Sequence, residues 1–184
     1  MKMLNKYNVK YFKILIPPAV GALYVYILFA LKYESATLLV TLLSTYIVPP
    51  LGKESVIPLG ISLQIDPILL ASSIVIMDFL AALFVYWNYE LLKHIRYFGR
   101  VMDRVERKST AILNKKWVGK LWWVGLTVFM FIPFQGTGSA TTTAIGRMIG
   151  VGAKVLIVVV VGSIISSILI AFASNTIFTR LFNI

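Results

Sequence analysis

Residues 48–60, Val-Pro-Pro-Leu-Gly-Lys-Glu-Ser-Val-Ile-Pro-Leu-Gly, put three prolines, two glycines and the opposite charges of Lys53 and Glu54 inside an apolar region. In a soluble protein such punctuation sits in a surface turn. Here the flanks, residues 36–48 and 56–65, are apolar, and each is too short to cross a bilayer. Spanning takes about 20 helical residues at roughly 1.5 Å each. Backbone broken at membrane depth survives only where protein or a wet cavity satisfies its polar groups. The stretch therefore reads as the bend of a re-entrant hairpin and as a candidate site.

That reading requires a membrane protein, and the composition supplies one. Of 184 residues, 59% are hydrophobic and 14% charged, with a mean hydropathy of +0.86. Soluble domains carry about 25% charge. The expected fold is an all-α integral membrane protein forming one membrane domain over 1–184. With no cysteine, disulfides and thiolate metal sites are excluded. The net charge of +11 reads as cytoplasmic loops facing anionic lipid headgroups rather than as a nucleic-acid surface. The basic N-terminus and the apolar run after it lack a small-x-small cleavage site, so they read as a retained anchor.

Residues 14–31 form 18 uncharged residues, long enough to span, with Pro17-Pro18 expected in the first helical turn. Residues 36–65 hold the broken hairpin. Asp66-Pro67 then reads as N-cap and first helical position of a second span, 68–87, interrupted by Asp78. From 91 to 112 apolar residues recur at helical spacing with Lys93, Arg96, Arg100, Arg104, Arg107 and Lys108 on the other faces. This predicts a basic amphipathic surface helix. Trp117, Trp122 and Trp123 suit a headgroup-level aromatic belt. The apolar piece 121–134 breaks at Ile132-Pro133-Phe134-Gln135-Gly136-Thr137-Gly138-Ser139, which fits a second hairpin. Residues 155–173 form the last span.

The two breaks share a pattern, Val48-Pro49-x-x-Gly52-x-x-Ser55 and Ile132-Pro133-x-x-Gly136-x-x-Ser139, offset by 84 (132 − 48). Short piece, break, short piece and full span recur in that order. The expected organisation is an N-terminal anchor (1–35), repeat 1 (36–90), the amphipathic helix (91–117) and repeat 2 (118–178). Paired broken helices in repeated halves point to a binding site at their interface. Residues 1–13 carry four Lys, and residues 92–120 carry nine Lys or Arg against two acids. By the positive-inside rule both are cytoplasmic, with an even number of crossings between them. A re-entrant hairpin satisfies this, as do two short crossings. The resulting repeats are inverted.

The charges inside apolar surroundings are the candidate substrate- or proton-binding residues: Glu54, Asp78, Arg147 and Lys53. A charge at mid-bilayer costs about 2.5–3.5 kcal/mol on insertion scales, so each is near water, paired or neutralised. Asp78 also fits a structural bond to a neighbouring helix, and Arg147 a side chain reaching the interface. Gln135, Gly136, Thr137, Gly138 and Ser139 offer amide, hydroxyl and backbone partners at a half-helix N-terminus, which favours an anion. Gly136-Thr137-Gly138 lacks the Lys of a phosphate-binding loop. The lone His94 and the absence of metal-ligand spacing argue against an enzyme, a metal or a cofactor.

At Ser55-Val56-Ile57-Pro58-Leu59-Gly60-Ile61 and Gly136-Thr137-Gly138-Ser139-Ala140-Thr141 the sequence resembles the two motifs of the small multidrug export protein family, related to the DedA/VTT membrane proteins. Pro50-Leu51-Gly52-Lys53-Glu54 is similar to the proline-glycine-glutamate element opening the first DedA hairpin, and Ala144-Ile145-Gly146-Arg147-Met148 to the end of the second. The resemblance implies two inverted re-entrant hairpins and movement of lipids or lipid-linked phosphates, with Glu54, Arg147 and, more loosely, Asp78 taking part. The chain departs from it in having Gln135 or Gly136 where DedA proteins place an arginine, and Glu54 where the export motif has one. The expected function is a small transporter or flippase of the cytoplasmic membrane, proton-coupled, moving a lipid, a lipid-linked phosphate or an amphiphilic small molecule. The alternatives are a passive scramblase or channel of the same fold, and a structural membrane factor. Expected partners are membrane lipids and protons; monomer and homo-oligomer both stay open.

Overall fold

A computed structural model describes residues 2–47, 52–94, 118–131 and 138–182. Seven helices lie among them: α1 (Lys2–Ala30), α2 (Ala36–Ile47), α3 (Lys53–Ser62), α4 (Pro67–Lys93), α5 (Val118–Phe131), α6 (Ser139–Met148) and α7 (Lys154–Phe182). Three carry stretches long and apolar enough to cross a membrane: Tyr11–Ala30, Pro67–Lys93 and Lys154–Ile177. The amphipathic helix expected at 91–112 lies outside the described residues from 95 onward.

α4 and α7 form the centre and run antiparallel. Asp78 bonds Ser163, Ala82 packs with Val155 and Val158, and Pro67 shares a groove with Asn175, so numbers rise on one helix as they fall on the other. α2 and α3 lie against the N-terminal half of α4. Ala36 at the start of α2 and Ile65 just past the end of α3 join Leu28 and Leu70 in one apolar core, while Tyr46 and Lys53 reach the middle of α4. α5 and α6 lie at its other half, where Leu126 and Met130 pack with Ala82 and Val159 in a second core. Each short helix also packs across: α3 on α7, and α6 on α4. On α2, Thr41 and Ser44 each donate to the carbonyl four residues back at 2.8 Å, so both hydroxyls are satisfied within the helix.

Several boundaries differ from the sequence expectation. α4 does not end at Trp87 but continues to Lys93, because neither glycine nor proline interrupts 88–93. α3 begins at Lys53, not Val56, so Lys53 and Glu54 form its first turn rather than a loop tip. Pro17 and Pro18 lie deep inside α1, which starts at Lys2. Pro17 has no N–H for the carbonyl of Lys13, and Asn88 of α4 replaces it, its Nδ2 donating to Lys13 O at 3.0 Å. Asp66 caps α4 as expected, accepting from Leu69 N at 2.7 Å with Pro67 at the first position. Trp123 is exposed, but Trp122 is partly buried against the second core rather than lying wholly in an interfacial belt.

The two short inner helices begin and end alike. Gly52 and Gly138, both extended, precede α3 and α6 without a side-chain cap. At the far ends Gln64 N bonds Ile61 O and Ile65 N bonds Gly60 O; Gly150 N bonds Arg147 O and Val151 N bonds Gly146 O. Gln64 and Gly150 both take positive φ there. These equivalences are offset by 86 (138 − 52), so Gly52 matches Gly138, not Gly136 as the motif alignment has it. Between proline and capping glycine the second half has two more residues in sequence (Pro133 to Gly138 against Pro49 to Gly52), which shifts the register.

Candidate functional site

Asp78 lies in the middle of α4, 1% exposed, where the helix is packed on three sides. An ionised carboxylate there needs donors, and three helices supply them. Tyr46, in the last turn of α2, donates its hydroxyl to Oδ1. Ser163 of α7 donates to Oδ2 at 2.5 Å. Lys53, the first residue of α3, brings Nζ to 3.7 Å from Oδ2 and donates to Ser166 Oγ at 2.7 Å. Ser166 in turn donates to Gly162 O at 2.7 Å. Lys53 is itself only 5% exposed. The N-terminus of α3 adds a positive field on the same side of the carboxylate.

One carboxylate thus holds α2, α3 and α7 to α4. Chemically, such a group can bind a proton or a cation, and doing so weakens its bonds to all three neighbouring helices at once. Burial makes the pair costly, since the desolvation of two charges is repaid only with good geometry and further hydrogen bonds. The pair lies where the end of α2 and the start of α3 reach the middle of α4.

The structure brings Lys53 and Asp78 together but leaves the other predicted residues apart from them. Glu54 is half-buried, its carboxylate folded back over Gly52. Arg147 lies at the C-terminal end of α4, stacked over Tyr86 at 5.0 Å and Tyr89 at 5.2 Å, with Glu90 at 3.9 Å. Its Nε has no hydrogen-bond partner among the described residues. From residue 78 to residue 86 is eight helical steps, about 12 Å, so Arg147 forms a second, separate cluster. Ser139 is buried at the start of α6, and Gly138 before it is exposed to open space. Gln135, Gly136 and Thr137 lie outside the described residues. No three His, Asp or Glu side chains come together to hold a metal ion among the described residues.

Sequence reasoning missed Tyr46, Ser163 and Ser166. The serines carried a signal: spaced three apart in an apolar span, they share one helix face. Tyr46 carried less, being one aromatic among many near a break.

The sequence model of the family described as "Putative small multi-drug export protein" matches residues 54–170. No curated protein and no solved structure is matched by the chain.

Proposed function

The chain belongs to the small multi-drug export protein family, and from that premise we propose that it is a proton-coupled exporter of amphiphilic small molecules whose coupling group is Asp78. The observation that carries this reading is the attachment of α2, α3 and α7 to a single buried carboxylate by Tyr46, Lys53 and Ser163. Protonating Asp78 removes the charge that holds Lys53. It leaves α3, tied to α7 by the Lys53–Ser166 hydrogen bond, free to move against α4.

The proposed architecture is two re-entrant pairs, α2–α3 and α5–α6, related by inversion. Two facts support it. The cap equivalences give one offset of 86, and under it the partner of Asp78 is position 164 (78 + 86), beside the Ser163 that Asp78 bonds. Equivalent helices that run antiparallel and meet at equivalent residues put Asp78 on the axis relating the halves. A carboxylate there can face either half in turn, which alternating access requires. Positive-inside reasoning gives a cytoplasmic N-terminus in the cell membrane.

Lipid or lipid-phosphate movement, as the DedA resemblance implies, is a second reading. It is favoured by one observation: at the C-terminal end of α4 the buried Nε of Arg147 has no hydrogen-bond partner among the described residues.

Proteoliposomes holding the purified chain and ethidium test the first reading. Ethidium should move only under an imposed pH gradient, stop when a protonophore collapses it, and not move with Asp78→Asn. Movement indifferent to the gradient would favour the passive channel, and movement of a fluorescent phospholipid but not ethidium would favour the second reading.

A further inference from the structure

A cavity of about 660 Å³ lies between the N-terminal half of α4 and the C-terminal half of α7. It opens sideways past the exposed rim residues Ile68, Ile168 and Phe172, and no charged side chain lines it. Its volume is that of a small-molecule site. One wall residue is anomalous. Ser167 is fully buried, and its Oγ has no hydrogen-bond partner among the described residues. Other α7 hydroxyls behave differently: Ser166, Ser174 and Thr176 each donate to the carbonyl four residues back, and Ser163 donates to Asp78. A buried hydroxyl without a partner is costly, and in a native structure it calls for an occupant.

We propose that this cavity is a binding site for a drug-sized neutral amphiphile entering from the bilayer, whose polar atom accepts a hydrogen bond from Ser167. Lipid tails reach the same opening, but a hydrocarbon chain offers nothing to a hydroxyl at that depth. Ser167 is four residues from Ser163, about 6 Å along α7, so the ligand's polar atom sits close to the Asp78 carboxylate. Ser167 also adjoins Ser166, the partner of Lys53. The site therefore places a membrane-borne ligand directly behind the ion pair. Its role as the substrate entrance rests on the export reading above; its existence as a binding site does not.

The test is photolabelling of the full chain in phospholipid nanodiscs with decanol carrying a diazirine. Labelling of Val75 and Ile168 should saturate with probe, and unlabelled decanol should compete. Labelling of the exposed α1 face at Leu15 and Leu23 should rise linearly. Ser167→Ala should weaken the apparent Kd about three- to tenfold, the loss of one hydrogen bond. Ile168→Trp and Ser72→Trp, both at exposed positions that leave the cores intact, should remove the saturable component. Linear labelling of the cavity in proportion to exposure would mean lipid solvation only and overturn the proposal. An unchanged Kd in Ser167→Ala would also overturn it, assigning the hydroxyl to a bound water. Labelling needs no gradient, so saturable binding by a chain that exports nothing would retire the export reading alone.

Discussion

Lys53 Nζ stands 3.7 Å from Asp78 Oδ2 in a setting where the two residues are 5% and 1% exposed. Removing one member leaves an uncompensated buried charge, so Lys53→Met and Asp78→Asn should each destabilise the fold by about 3–5 kcal/mol. Removing both charges deletes the desolvation cost as well, and the double variant should regain most of that loss. Equilibrium unfolding in detergent micelles measures all three. A double variant no more stable than either single one would show that the two charges do not compensate each other. Recovered stability without gradient-driven transport would separate the pair's proposed role in coupling from its role in folding.

Asn88 is tied to a proline it does not touch in sequence. Its amide fills the place of the N–H that Pro17 lacks, donating to Lys13 O at 3.0 Å while also donating to Phe84 O at 2.9 Å. Asn88→Leu should cost about 1 kcal/mol, the loss of a hydrogen bond to a part-buried carbonyl. Pro17→Ala restores the backbone donor, so the same substitution in that background should cost less, with a coupling of about 1 kcal/mol. A double-mutant cycle read by unfolding gives the number. Strictly additive effects would mean that Lys13 O is satisfied in some other way.

The parts of this fold that sequence made legible are those governed by short-range rules. Asp66-Pro67 announced a capped helix start because both the side-chain acceptor and the missing N–H act within one turn. The spans near 14, 68 and 155 followed from length and hydropathy alone. Lys53 and Asp78 could be singled out because charge is expensive in an apolar run. Their pairing could not, since it depends on how α3 and α4 are rotated against each other. Tyr46 and Ser163 were hidden for the same reason, as residues that are ordinary in their own helices. Pro17-Pro18 misled because the rule against proline in a helix interior assumes that no neighbour replaces the lost hydrogen bond, and here Asn88 does. The offset of 84 misled because Gly136 carries the Pro-x-x-Gly-x-x-Ser spacing, while cap geometry selects Gly138, which does not.

Gly146 marks the tightest approach of α6 to α7. A Cβ there would lie 2.8 Å from Val155 Cβ and closer still to one of its methyl groups, with Leu126 of α5 at 3.5 Å. Val155 is β-branched and fully buried, so it cannot turn aside. Gly146→Ala should destabilise by about 1–3 kcal/mol through overpacking. Gly125→Ala on α5, where a Cβ meets nothing within 4 Å, should be neutral or stabilising by up to about 1 kcal/mol. The pair, compared by thermal unfolding in one detergent, separates crowding from helix propensity. Equal effects at the two sites would mean that α6 does not seat against α7 as described.

The absence of cysteine makes the topology directly measurable. α2 and α3, with 12 and 10 residues, are about 18 and 15 Å long, against a hydrocarbon core of about 30 Å. Both meet Asp78 at their inner ends, so the chain should enter and leave the membrane on one side between Ala36 and Ser62. Glu34 and Gln64, both exposed and flanking that segment, should then react together when each is replaced by cysteine and treated with an impermeant maleimide in intact cells. Lys154, exposed at the start of α7, lies at the opposite end of the central pair, since α7 runs antiparallel to α4. Lys154→Cys should react only after permeabilisation if the N-terminus is cytoplasmic. Glu34→Cys and Gln64→Cys reacting from opposite sides would make α2 and α3 a single kinked crossing. It would also remove Asp78 from the proposed axis between inverted halves, and with it the physical basis proposed for alternating access.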